Sequence, residues 1–375
     1  MNDFSKLYRN KKKVQEQLSL LDDDEFYKQY WWDMPEFEMD DVSAQYSVKV
    51  NFLTYDDLKA FSEKIGIPLT TKSDSCWFPN QPKLNGEFEY NGPKIDSKYP
   101  ICIMSKGRYD CQTTGKLLDN LGVSYNFFVE ETEYDKYCKY IGEQKVIKLP
   151  FHDLGKGSIP ARNFIWDWAK ENGYKRHWTL DDNIMQFGRC NNNRRLSVKG
   201  GGYFRAMEDF VDRFENIAMA GPHDYGFVPD RQKIDPFLFN SRVYSCILLD
   251  TTLDYRWRGR YNEDTDLSLR LLKDGFCTVL FRSLIMNKGG TAFAKGRAMK
   301  GGNTDNVYNS NDYRLAFAES LKKQHPDCVD VVWRFGRWHH KVDYSKFKNN
   351  KPILKKGVVK TKTINNYGME LKKIK

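Results

Sequence analysis

Two pairs of adjacent acids could do chemistry in this chain. Asp181 and Asp182, followed by Asn183, end the apolar run HWTLDDN. Carboxylate and amide oxygens grouped at a strand end suit Mg²⁺ or Mn²⁺, which keep positions open for a substrate phosphate. A pair of this kind also serves as a plain turn or helix cap, so the spacing alone does not decide. Glu263 and Asp264 open the stretch EDTDLSLRLLKDG, with Asp266 and Arg270 following. Acids in a first helical turn complement the helix dipole. A carboxylate aimed into a cleft can equally take the proton of an attacking hydroxyl.

The elements that must position these acids are legible from Tyr99 onward. YPICIMSKGR reads as a buried strand ending in small and basic residues. TTGKLLDNLG is a helix stopped by Gly122, and YNFFVEE and QKVIKLP are two more strands. GSIPARNFIWDWAKENG is a helix capped by Ser158, with Pro160 in its first turn and Gly173 at its end. KRHWTL then runs as a strand into Asp181. Strands alternating with helices imply a mainly parallel sheet with covered faces, and ligands bind beyond the carboxyl ends of such strands. Downstream, the helical period in YFRAMEDFVDRFENIAMAG predicts one long helix, YSCILLD and FCTVLFR read as strands, and 288–311 reads as a loop. YRLAFAESLKKQHP is a last helix, and VDVVWRFGRWHHK a final strand with a basic, aromatic end.

Composition narrows the class. Hydrophobic residues make up 40% and charged residues 29%, which fits a soluble globular chain. The longest apolar runs are too short to span a bilayer, so no membrane partner is expected. The eight cysteines form no CxxC pair, and the N-terminal MNDFSKLYRNKKKVQ holds no apolar signal core, so reduced thiols in a cytoplasmic setting are expected. The net charge of +10 is uneven: from Ser345 onward ten Lys face one acid, Glu370. That stretch reads as a solvated tail or as a phosphate-backbone contact. GGGYF at 200–204 is too loose for a phosphate loop and no GxGxxG follows a strand, which excludes kinase and dinucleotide readings.

Four segments, in order, resemble the GT-A nucleotide-sugar glycosyltransferases: YPICIMSKGR, GSIPARNFIWDWAKENG, WTLDDN and NEDTDLSLRLLKDGF. SKGR, IPARNF, WxLDDN and RYNEDTDLSLR are similar in detail to the TET-associated, base J-type DNA glycosyltransferases of phages and their relatives. The resemblance implies an α/β GT-A fold, a mixed and mainly parallel sheet flanked by helices. It implies a core over 98–290; composition on either side marks an N-terminal extension over 1–97, a lid loop and closing helix and strand over 291–345, and a Lys-rich tail over 346–375. It implies sugar transfer from a UDP-sugar to the hydroxyl of a 5-hydroxymethylpyrimidine in double-stranded DNA, 5-hydroxymethylcytosine first among them, in the host cytoplasm if the gene is a phage's. Ser105, Arg108, Arg162, Asn163 and Asp181 would bind the donor. Asp182 and Asn183, with His339, would hold Mn²⁺ or Mg²⁺, although the third position of the metal motif is Asn183 where the family pattern has Asp. Asp264 would be the base of an inverting transfer, supported by Glu263.

For the acceptor, cations interleaved with aromatic rings offer phosphate contacts and stacking surfaces. Lys295, Arg297 and Lys300 in the Gly-rich loop, and Arg334, Arg337 and His340 near the end, are the candidates. A GT-A enzyme with a polysaccharide, lipid or protein acceptor, or a non-catalytic DNA-binding protein on a GT-A shell, are the alternatives.

Overall fold

The computed structural model describes residues 26–79, 87–259, 261–288 and 313–374. In chain order it runs α1 (Tyr55–Ile65), β1 (Phe88–Asn91), β2 (Ile101–Met104), α2 (Thr113–Leu121), β3 (Asn126–Glu130), α3 (Tyr134–Ile141) and β4 (Val146–Leu149). Next come α4 (Ile159–Glu171), β5 (Arg176–Asp181), β6 (Ile184–Asn191), β7 (Arg194–Lys199), α5 (Gly202–Asp212), β8 (Ile217–Asp224), β9 (Phe237–Phe239) and β10 (Cys246–Asp250). The chain closes with α6 (Glu263–Lys273), β11 (Cys277–Lys288), α7 (Tyr313–Gln324), β12 (Val329–Arg334), β13 (Arg337–Val342) and β14 (Glu370–Lys373).

One mixed sheet carries the order β14-β1-β7-β6-β11-β8-β10-β5-β2-β3-β4, with β9 on β11. The strands β5, β2, β3 and β4 are mutually parallel. Beyond β5 the sheet turns antiparallel through β10 and β8. Strands covered on both faces read as continuous apolar runs, and alternation sorts them. Ile101, Ile103, Trp178 and Leu180 pack with α2, α3 and α5 on one face. Cys102 and Phe128 meet α4 on the other, where Ile247 and Leu249 meet Trp166, Leu267 and Leu271 of α4 and α6.

Two local expectations change. The helix predicted across YFRAMEDFVDRFENIAMAG stops at Asp212, and Ile217–Asp224 is a central strand. The single strand predicted over VDVVWRFGRWHHK is a hairpin, because Phe335 and Gly336 take φ of 52° and 69°, as a tight two-residue turn requires.

Both ends of the described residues are woven into the fold. Trp31 and Met34 join the main core together with Tyr367 and Met369. Met34 bridges to Ile364, and β14 pairs antiparallel with β1, which itself lies beside β7. The Lys-rich stretch is therefore a strap with lysines outward, not a free tail. Among the described residues, no helix is long and apolar enough to cross a membrane.

Candidate active site

The carboxyl ends of β2 and β5, the start of α4, the start of α6 and the end of β11 surround a cavity of about 630 Å³. Ser105, Arg108, Arg162, Asp181, Asp182, Asn183, Glu263 and Asp264 all line it. Segments 159 residues apart in sequence thus meet in one crevice, Ser105 being on β2's exit and Asp264 on α6.

Strand alternation separates the two acids of the first pair. Asp181 falls on the face that carries α4 and α6. Its Oδ1 receives Arg162 Nη2 at 3.4 Å, and its Oδ2 receives Lys288 Nζ at 2.5 Å. Burial opposes its ionisation, but Lys288 and Arg162 outweigh that and hold the carboxyl below its ordinary value. Asp182 turns to the opposite face and is 7% exposed. Ser105 Oγ donates to its Oδ2 at 2.6 Å, and Arg108 pairs with its Oδ1. Gly107, at φ 68°, makes the tight turn that returns Arg108 to this point. The Tyr137 hydroxyl, 2.6 Å from Ser105 Oγ, supports the arrangement from α3.

The second pair lies at the start of α6, after Asn262 in a left-handed conformation. Tyr261 stacks on Phe317 at 3.8 Å, and Asn262 Nδ2 donates to Phe317 O, so α7 fixes the entry to this helix. Glu263 receives Ser158 Oγ at 3.3 Å and lies 3.6 Å from Arg162 Nε. Burial and the neighbouring Asp264 raise its carboxyl against the pull of Arg162. Asp264 accepts from Thr265 N at 2.7 Å and raises the proton affinity of Arg242 and Lys288 on the cavity wall.

Several expected residues stand elsewhere or do other work. Ser158 makes no cap to α4; its hydroxyl links Arg162 and Glu263. Asn163 does not line the cavity: both ends of its amide bond the Trp257 backbone, which sets the indole 4.5 Å from the Arg162 guanidinium. His339 is not beside Asp182. It sits on β13, where Arg337 Nε donates to its ring at 3.0 Å. His340 is the histidine that feels Asp264; burial and Arg242 push it down to about 4. Arg334 and Arg337 flank the tip of the β12–β13 hairpin. Lys295, Arg297, Lys300 and the loop expected to act as a lid lie outside the described residues.

The expected metal centre does not match this donor set. Both oxygens of Asp181 and both of Asp182 already meet cations or a hydroxyl of the chain. Among the described residues no three acids, histidines or cysteines gather as a metal cluster. The sequence reading missed Lys288, Arg242 and Ser245. Only Lys288 left a signal: the apolar run LIM carries β11 on to that residue.

Parallel strands delivering Ser105 and Asp181 to one cleft, with an acid-bearing helix opposite, form an α/β, GT-A-like architecture with its ligand cleft at the carboxyl ends of the strands. A family model described as TET-Associated Glycosyltransferase matches residues 99–297, more than half of the 375, and the chain belongs to that family. It is a glycosyltransferase that uses a nucleotide sugar. A crystal structure from Desulfovibrio desulfuricans G20, provisionally described as a nucleotide-diphospho-sugar transferase, is distantly similar: TM-score 0.30 and 10% identity, covering 49% of this chain and 80% of that one. No curated protein matches.

Proposed function

We propose that the protein moves a sugar from a UDP-sugar to the hydroxyl of a 5-hydroxymethylpyrimidine in duplex DNA, with 5-hydroxymethylcytosine as the first acceptor to try, and with inversion at the anomeric carbon. The observation that carries this reading is the shared cavity: Arg162 and Asp181 on one wall, Glu263 and Asp264 on the other. Arg162 suits the donor diphosphate, because its Nη1 is buried without a hydrogen-bond partner among the described residues. Asp264 suits the base, since it lines the cavity and lies beside Arg242, which steadies a carboxylate there. The acceptor oxygen attacks the anomeric carbon while its proton passes to Asp264. Glu263, anchored through Ser158 and Arg162, orients the acceptor.

Two features support a DNA acceptor. The family's description ties it to TET enzymes, whose chemistry concerns modified pyrimidines. The β12–β13 hairpin presents Phe335 at 91% exposure between Arg334 and Arg337, with Trp333 at 59% next to Arg334, and His340, opposite Val331 on the same hairpin, feels the charge of Asp264. Exposed rings between guanidinium groups stack bases and bind phosphates. A flipped-out nucleotide is the form in which a base inside a duplex reaches a catalytic pocket.

The test is mass spectrometry of nucleosides after incubation with a panel of UDP-sugars and either hydroxymethylcytosine, hydroxymethyluracil or unmodified DNA. A mass gain of one sugar on a hydroxymethylated nucleoside alone is expected. Transfer to none of them, with hydrolysis of a UDP-sugar intact, would move the acceptor away from DNA.

A further inference from the structure

Metal-dependent sugar transferases give a strand-end carboxylate a cation that does two jobs. It neutralises the acid and offers positive charge to the leaving diphosphate. In this chain both jobs have residents. Lys288 is the last residue of β11 and stands opposite Ile184, two residues beyond Asp182, in the β11–β6 ladder. That register sets its ammonium at the end of β5. Nζ donates to Asp181 Oδ2 at 2.5 Å and to Ser245 Oγ at 3.1 Å. An ammonium has three donors, so one more remains after the two contacts seen among the described residues. Arg162 reaches the other oxygen of Asp181 and keeps Nη1 buried without a hydrogen-bond partner among the described residues. Both side chains line the cavity that Asp264 faces.

Asp182 is no reserve ligand. Arg108 and Ser105 hold its two oxygens on the opposite face of β5. A dication bound at Asp181 would stand within a hydrogen-bond length of the Lys288 ammonium, and like charges at that range repel strongly in a poorly hydrated site.

We propose that Lys288, with Arg162, supplies the charge that a divalent cation supplies elsewhere, so that this enzyme binds the diphosphate of its donor without metal. The inference rests on the reading of UDP-sugar as donor. In the step itself, the bond from the anomeric carbon to the β-phosphate oxygen breaks and its electron pair stays on that oxygen. The acceptor oxygen forms the new bond, and its proton goes to Asp264. Lys288 and Arg162 only hydrogen-bond the diphosphate, and neither gives up a proton.

The experiment is UDP binding by calorimetry with the full chain, once in chelator and once in Mn²⁺, on the wild type, Lys288→Ala and Lys288→Arg. The wild type should bind UDP equally in both buffers. Lys288→Ala should bind roughly tenfold or more weakly in chelator, the loss of one charge-assisted hydrogen bond, and Lys288→Arg should retain most of the affinity. Mn²⁺ should restore binding to Lys288→Ala, because Asp181 is then open to a metal. Paramagnetic resonance should accordingly detect bound Mn²⁺ in that variant and none in the wild type, a change that simple loss of structure would not produce. Wild-type binding that appears only with Mn²⁺ would overturn the inference and leave the donor reading standing, and that arm needs no variant. Absence of UDP binding in every buffer would overturn both.

Discussion

The acids at the end of β5 and those at the start of α6 face one cavity and are handled in opposite ways. At β5 every carboxylate oxygen is matched, Asp181 by Arg162 and Lys288, Asp182 by Arg108 and Ser105. At α6 the matching is loose: Glu263 has Arg162 at 3.6 Å and Ser158 at 3.3 Å, and Asp264 has its neighbour Thr265. Pairing holds the Asp181 carboxyl low, while burial raises that of Asp182 even against Arg108 and Ser105. Burial and the neighbouring acid raise the loosely matched Glu263 carboxyl above its ordinary value. Under the proposed function this contrast divides the labour of the site, with a rigid electrostatic seat on the strand side and a proton acceptor on the helix side.

The largest expected effect tests the rigid side. Asp182→Ala leaves Arg108 buried without its carboxylate, and should cost about 3–5 kcal/mol of stability in denaturant melts. An unchanged midpoint would mean that Asp182 is not part of the seat. Asp266, one turn into α6, extends the contrast within the helix. It is fully matched by His325 at 2.9 Å and Arg270 at 2.9 Å, and its carboxyl is pulled down to about 2 despite burial. A depressed carboxyl stabilises the fold above its unfolded value and loses that contribution as pH falls through the folded one. About 2 kcal/mol should therefore disappear between roughly pH 4 and pH 2, and the acid limb of a melting-versus-pH curve should flatten in Asp266→Asn.

Glu263 works in the other sense, since its carboxyl is raised. The acid limb of transfer should fall above the ordinary carboxylate range and move in Glu263→Gln, with kcat/KM down about tenfold, the worth of one modest polar contact. A limb that stays in place would assign it to Asp264 alone. The smallest change lies outside the cavity. Phe335→Ala should weaken DNA binding by about 1 kcal/mol in a gel-shift titration and leave UDP binding unaltered. Unchanged DNA affinity would detach the hairpin from the acceptor.

The strands leading to the site were legible because buried parallel strands are short apolar runs with clear stops. β2, β3, β4 and β5 all fall where those runs lie. The antiparallel half was harder to read. The β6–β7 hairpin turns through Asn192 and Asn193 at φ of 48° and 56°, a turn signal inside a sequence too polar to look like sheet. β8 continued a helical period by accident of composition, and only its place between β10 and β11 makes it a strand. The acids of the site could be named because carboxylates side by side are conspicuous. Arg108 and Arg162 could be named with them from the SKGR and IPARNF segments, but Lys288 and Arg242 belong to no motif and reach the cavity only through sheet register and loop path. For the same reason the strand-end pair suggested a metal, whose place the unseen cations fill. The Lys-rich stretch misled in a further way: a run of lysines describes the outer side of the strap and conceals Tyr367 and Met369, which anchor it.

The central claim is that the two acid pairs share one transfer cavity and do different jobs there. Donor affinity and sugar transfer to hydroxymethylated DNA, measured on the same preparation of Asp264→Asn, test it most directly. UDP-sugar affinity should match the wild type while transfer falls by about 100- to 10,000-fold, the usual worth of a catalytic base. Transfer at the wild-type rate, or donor binding lost together with transfer, would contradict it.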